Sequence, residues 1–250
     1  MDVKSLIPNT LSCSNLLCGC SAAMFAVNGE LLIAAILIIV AAIFDLFDGM
    51  AARLLNATSS IGEQLDSLAD MVSFGVAPGM IVFGILSNVG NGPSWLPFVA
   101  FIIPLCSALR LARFNAYKDE TDSFIGLATP ANSIFWALLI IISFWMDDNF
   151  PPNNDHGYYV NAMLNDQGFI LSIAIILSLL MVSKIPMFSL KLKDLSWQNN
   201  KELYILIVFS AFSLILFKLV GVLLIIPLYI LISVGKHLLF KDKNEVQSGN

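Results

Sequence analysis

Asp45-Leu-Phe-Asp48-Gly49-Met-Ala-Ala52-Arg53, then eight residues, then Gly62-Glu-Gln-Leu-Asp66-Ser-Leu-Ala-Asp70, is the stretch on which the reading of this chain turns. Its first half closes an apolar run over residues 31–44 and its second half opens another. Four carboxylates therefore stand where apolar helices end and begin. Charge is costly there, so such a cluster reads as a functional site with a counter-charge. Asp45 and Asp48 are three residues apart, and Asp66 and Asp70 four, so each pair shares one helix face. Four converging carboxylates do not all stay ionised without a cation between them. Their hard oxygens suit magnesium, manganese or calcium rather than zinc or copper. Gly49 and Ala52 leave the same face open, and Arg53 offers a fork that fits phosphate. Either Asp pair alone is an ordinary solvated helix end, and a lone membrane glycine is an ordinary packing site. The full string describes a two-helix clamp for a metal-bound phosphate group.

The stretch resembles the signature of the CDP-alcohol phosphotransferases, D-x2-D-G-x2-A-R-x8-G-x3-D-x3-D, and matches it at every fixed position. The resemblance implies an integral membrane enzyme that uses a divalent metal, Mg2+ or Mn2+, and displaces CMP from a CDP-linked lipid or alcohol. It implies that Asp45, Asp48, Asp66 and Asp70 hold the metal, with Asp70 also the general base. Asn9, Ser12, Asp48, Gly49, Ala52, Arg53, Gly62 and Asp66 are implied to line the nucleotide pocket. Asn15 stands where some relatives carry Arg. The family tends to be dimeric, so a homodimer is expected.

Composition supports a membrane class. The chain has 250 residues, of which 58% are hydrophobic and 12% charged, against about 25% charged in soluble proteins. The net charge of −5 offers no footprint for nucleic acid. Cys13, Cys18, Cys20 and Cys106 form no zinc-type pair, and all lie in apolar runs, so they read as packing residues. No cleavable signal is expected, since Lys4 alone is basic before the first apolar run.

The expected fold is all-α: one polytopic membrane domain over 1–250, with about eight transmembrane helices and both termini cytoplasmic. Residues 1–10 are read as a short juxtamembrane segment, 11–146 as catalytic core helices, 168–235 as C-terminal helices and 236–250 as a tail. Spans fall near 11–27, 31–53, 61–87, 95–114, 131–146 and 168–183, with Pro78 and Gly79 loosening the third. Residues 147–167 read as a long loop. The final apolar run, 203–235, would make one helix about 50 Å long, too long for a core of about 30 Å. A break near Lys218–Gly221 is expected instead. In this layout every Lys and Arg of the 13 in the chain except Lys218 is cytoplasmic, as the positive-inside rule demands. All four acids then lie at the cytoplasmic interface of the cytoplasmic membrane.

Two further elements narrow the acceptor. Asp70-Met-Val-Ser73-Phe-Gly75-Val-Ala-Pro78 and Arg110-Leu-Ala-Arg113-Phe-Asn115 resemble the phosphatidylserine synthase branch of the family. So does Phe124-Ile-Gly126-Leu-Ala-Thr-Pro130-Ala131, with Ala128 replacing a usual Pro. This implies CDP-diacylglycerol and L-serine as substrates. Serine brings a carboxylate, which an Arg fork matches. Arg110, Arg113 and Asn115 are therefore candidates for binding serine or lipid phosphate, although Arg residues flanking a span are also ordinary anchors. Glycerol phosphate, inositol phosphate or an aminoalcohol are the competing acceptors. A phosphorylated one calls for a denser basic cluster than Arg53, Arg110, Arg113 and Lys118 provide. An ion-coupled transporter is disfavoured, because its acids belong near the midplane within paired repeats, and no repeat is visible.

Overall fold

A computed structural model describes residues 3–57, 59–89, 92–116, 124–149, 155–188 and 200–248. Lys118, Lys191 and Lys193 lie outside the described residues. The chain is a helical membrane bundle. Helix α1 (Val3–Val27) turns sharply at 28–30 into α2 (Leu31–Leu54), and the two pack along their length as an αα-hairpin. The turn is closed by Glu30 N donating to Phe25 O at 2.9 Å, with Gly29 at φ 85°. Among the described residues, five helices are long and apolar enough to cross a membrane: Ser5–Val27, Leu31–Leu54, Ser60–Asn88, Leu96–Ala116 and Thr129–Met146.

Helix α1 begins at Val3 and carries Pro8 in its interior, so the helix runs on through residues 3–10. Asn9, Ser12 and Asn15 lie on the buried side of α1, at 7%, 3% and 0% exposure.

The third span is three pieces in one rod: α3 (Ser60–Asp70), a π-helical turn (Met71–Val76) and α4 (Ala77–Asn88). Pro78 lacks the N–H that would bond the Phe74 carbonyl four residues back. That carbonyl falls within the π-helical turn, which widens the helix where the regular ladder cannot close. The irregularity thus sits just N-terminal to Pro78 and directly after Asp70. Helix α1 presses on this turn at Gly19, where a Cβ would stand 2.7 Å from Ser73 Cα. Only glycine permits that approach.

A 3-10 turn (Leu96–Phe101) leads into α5 (Ile102–Ala116), and α6 runs from Thr129 to Asn149. Between them β1 (Phe124–Ile125) pairs antiparallel with β2 (Pro186–Met187). Gly126, at φ 75°, donates its N–H to Ile185 O at 2.9 Å, and Leu127 N donates to Leu180 O at 3.0 Å. The Phe124–Pro130 element therefore fastens the start of α6 to the end of α8 (Gln167–Val182).

The region read as a loop over 147–167 contains a helix, α7 (Asp155–Asn165). Val160 is buried, and Asn161 accepts a hydrogen bond from Ser143 of α6 at 3.0 Å. Its polar composition suggested a loop, yet among the described residues Val160 and Leu164 pack on the core and Asn161 bonds α6. The final apolar run breaks into α9 (Lys201–Phe217), a 3-10 turn (Lys218–Leu224) and α10 (Ile225–Ser248). Lys218 takes φ 51°, and Ser213 Oγ donates to Gly221 O at 2.8 Å. Lys236 pairs with Glu202, so α10 returns antiparallel to the start of α9. Of the cysteines, Cys106 is buried, whereas Cys13 and Cys20 lie on the exposed face of α1, which limits the expected packing role.

The core is built on Ile38 of α2, Phe74 of the π-helical turn, Ile81 of α4, Ile103 of α5 and Trp136 and Ile140 of α6, all essentially inaccessible. It holds α2, the third span, α5 and α6 in fixed register, and these elements carry every acid and every arginine considered below.

Candidate active site

Helix α2 delivers Asp45 and Asp48 from its last turns, and α3 delivers Asp66 and Asp70 across from them. One carboxylate oxygen each from Asp45, Asp48 and Asp66 lies within 4.8 Å of the others. That spacing lets three hard oxygens reach one divalent ion. Asp70 stands outside this triad but lies within electrostatic reach of Asp45 and Asp66. Donor type and spacing fit a hard divalent cation, for which carboxylates are the natural ligands.

Helix α1 orients the acids. Ser12 Oγ donates to Asp48 Oδ2 at 2.6 Å, and Asp48 is 5% exposed. Asn15 Nδ2 donates to Asp70 Oδ1 at 3.4 Å, while Ser73 Oγ donates to the Asn15 carbonyl at 2.9 Å. Neighbours of this kind fix the rotamers of metal-binding carboxylates. Asn9, Ser12 and Asn15 are spaced three apart, so one face of α1 carries all three, and α1 packs on α2 and α3.

Beside the acids opens a cleft of about 200 Å³, lined by Pro8, Asn9, Ser12, Asp48, Gly49, Ala52, Arg53, Ala57, Ser59, Gly62, Glu63 and Asp66. All eight residues assigned from the sequence to a nucleotide pocket line this one cleft. Gly62 leaves room there, since a Cβ would press on Asn9 Oδ1 at 3.0 Å and Ser59 Oγ at 3.1 Å. Gly49 keeps its side open, with Arg53 the nearest neighbour at 3.7 Å from a built Cβ. Arg53 Nε donates to Gly49 O at 2.9 Å, which steadies an exposed guanidinium at the rim.

Pro8, Ala57, Ser59 and Glu63 line the cleft without having been singled out. Ser59 is the N-cap of α3, and its hydroxyl accepts from Gly62 N at 3.1 Å. A Ser pair followed by Glu63 is a capping signal that marks this helix start. A helix N-terminus also attracts anions, so the cleft offers backbone as well as side-chain polarity.

The basic candidates part company. Arg110 is half-buried, donates from Nη1 to Thr129 Oγ1 at 2.8 Å, and lies within electrostatic reach of Asp70 and Tyr229. Arg113 is exposed and donates to the Val182 carbonyl at 2.9 Å, capping the end of α8. Asn115 Nδ2 donates to Ser67 Oγ at 2.9 Å, bracing α5 against α3 beside Asp66. The structure therefore brings Arg110 to the acids and places Arg113 and Asn115 on the scaffold around them.

Fold and site together define a class: a helical membrane protein with a carboxylate triad, a fourth acid and a polar cleft at one end of its helices. Comparison with known proteins sharpens it. The model of the CDP-alcohol phosphatidyltransferase family matches residues 5–180. The chain belongs to this family. It is 33% identical over 210 residues to the CDP-diacylglycerol–serine O-phosphatidyltransferase of Helicobacter pylori, an alignment covering 81% of this chain and 78% of that protein. The enzyme of that name from Bacillus subtilis is 36% identical over 142 residues, covering 55% of this chain and 75% of its own length. Archaetidylserine synthase of Methanothermobacter thermautotrophicus is 31% identical over 148 residues, covering 56% and 60%.

Proposed function

We infer that this protein transfers the phosphatidyl group of CDP-diacylglycerol to the hydroxyl of L-serine, giving phosphatidylserine and CMP. The observation that carries the reading is convergence. Residues of the signature, separated along the chain, line one cleft beside three carboxylates able to share a cation. Relatives named for the serine reaction supply the acceptor.

The cytidine diphosphate lies in the cleft, against Asn9, Ser12, Gly49, Ala52 and Gly62, with Arg53 at its phosphates. Asp45, Asp48 and Asp66 hold Mg2+ or Mn2+, with Asp70 adjoining. The bound metal supplies positive charge that offsets the diphosphate and the departing CMP. Asp70 accepts the proton of the serine hydroxyl. The serine oxygen then forms a bond to the lipid-side phosphorus as the bond to the CMP oxygen breaks. Arg110 faces the serine carboxylate, because its charge bears on Asp70 and its guanidinium is fixed by Thr129. Arg113 and Asn115 support the site by holding α8 and α3.

Three shorter apolar helices, α8, α9 and the first half of α10, complete eight spans with both termini cytoplasmic. The acids then face the cytoplasm, where soluble serine arrives while lipid enters sideways, and the enzyme works in the cytoplasmic membrane as a homodimer.

The test is CMP release by the purified protein in mixed micelles. With CDP-diacylglycerol and Mg2+ or Mn2+, L-serine supports release and phosphatidylserine forms. Chelation by EDTA stops it, and added metal restores it. Release with glycerol 3-phosphate, inositol phosphate or ethanolamine in place of serine overturns the choice of acceptor.

A further inference from the structure

We propose that Asn132 completes the acceptor subsite by binding the zwitterionic head of an α-amino acid, its amide nitrogen toward the carboxylate and its amide oxygen toward the ammonium; this rests on the reaction inferred above. Asn132 lies in the first turn of α6, three residues beyond Thr129, whose hydroxyl accepts from Arg110. An α-helix turns about 100° per residue, so Thr129, Asn132, Ser133 and Trp136 occupy one face. All four are fully buried. Ser133 Oγ reaches the Ser73 carbonyl at 3.5 Å, which joins this face to the π-helical turn just after Asp70. On its own helix, Asn132 is thus flanked by the residue that holds Arg110 and the residue that touches the turn below the base.

What sets Asn132 apart is its hydrogen bonding. Among the described residues, both Oδ1 and Nδ2 are buried and neither has a partner. Buried amides are normally satisfied, and a bare end is expensive in a low-dielectric interior. The protein keeps both ends bare at one residue. Arg110 Nε and Asn15 Oδ1 are bare in the same way, and their side chains both bear on Asp70: Asn15 through its Nδ2 bond and Arg110 through its charge. A turn deeper, Trp136 Nε1 is another unused donor.

The set has donors in Arg110 Nε and Asn132 Nδ2, and acceptors in Asn15 Oδ1 and Asn132 Oδ1. A phosphate group offers acceptors and would leave the amide oxygens bare. An aminoalcohol offers an ammonium and a hydroxyl, with no anion for the guanidinium. A hydroxy amino acid offers carboxylate and ammonium at once and presents its hydroxyl to Asp70. A site built to hydrogen-bond both groups rejects analogues lacking either one, because its own buried groups are then left unpaired. Asn132 is accordingly a specificity-determining residue, distinct from the acids that bind the donor.

The experiment compares wild type, Asn132→Leu and Asn132→Ser in initial-rate assays with CDP-diacylglycerol, varying L-serine, ethanolamine and 3-hydroxypropionate. The leucine variant is expected to raise the KM for serine at least tenfold, with the KM for CDP-diacylglycerol unchanged. The preference for serine over either analogue should shrink by a similar factor. The serine variant, smaller but polar, is expected to fall between the two, and its kinetics decide the matter where Asn132→Leu does not fold. An unchanged KM for serine, or an equal loss toward all three acceptors, overturns the proposal and leaves Asn132 a packing residue. Failure of the reaction assignment is a separate result: wild type would then release CMP with another alcohol and not with serine.

Discussion

Ser12 and Asn15 show how much of this site depends on side chains that bear no charge. Ser12 donates to Asp48 and Asn15 to Asp70, so α1 aims one acid from each of the two helices proposed to clamp a cation. Ser12→Ala removes the Asp48 contact without altering the carboxylate. The expected result is a rise of about 10–100-fold in the metal concentration for half-maximal activity, read from metal titrations of CMP release; an unchanged titration rejects the orienting role. Asp70 is predicted to behave differently, because it lies beside the triad and not within it. Asp70→Asn keeps the shape and removes the proposed base. Its turnover should fall by about 10²–10⁴-fold, while CDP still binds in equilibrium measurements. Normal turnover would remove Asp70 from the chemistry.

At the scale of elements, the π-helical turn and the Phe124–Pro130 hairpin arm do the positioning. The π-helical turn follows Asp70 at once, absorbs the carbonyl orphaned by Pro78, and receives α1 at Gly19. The arm pins the start of α6, and with it Thr129 and Asn132, to the end of α8. Its pivot is Gly126, which has φ 75° and a Cβ position blocked by the Met181 carbonyl. Gly126→Ala should therefore destabilise the protein by about 1–3 kcal/mol, seen as a lower midpoint of thermal unfolding in detergent. It should also raise the KM for serine more than that for CDP-diacylglycerol, since α6 carries Thr129, and the cleft proposed for the nucleotide lies mainly on α1, α2 and α3. Equal effects on both constants would show that the arm serves stability alone.

For the molecule as a whole, α9 and α10 return on each other, with Lys236 meeting Glu202. A pair of short antiparallel helices brings the chain back to the side on which α9 began, which is why both termini are assigned to the cytoplasm. Single cysteines introduced near residue 4 and near residue 245 should both react with an impermeant maleimide only in inside-out vesicles, after the native cysteines are replaced. Labelling of one terminus from each side would reduce the span count by one and exchange the face of the last helix.

The sequence alone pointed to the class and the chemistry through its resemblance to the family signature, and spacing placed the acids. Acids three and four residues apart in apolar helices can only share a face, and Asp45, Asp48 and Asp66 do meet within 4.8 Å. The break near Lys218 was legible for a similar reason, since a bilayer sets a maximum length for one helix. Tertiary structure decided what spacing cannot express. It packed α1 on α2 and α3 so that Ser12 and Asn15 meet the acids. It docked α7 inside a stretch that reads as a loop, and it separated Arg110 from Arg113 although they sit on one helix three residues apart. It buried Asn132 with both ends of its amide bare. Those outcomes depend on contacts between residues tens of positions apart, such as Asn15 with Asp70 and Arg113 with Val182, and local periodicity carries no record of a partner so far along the chain.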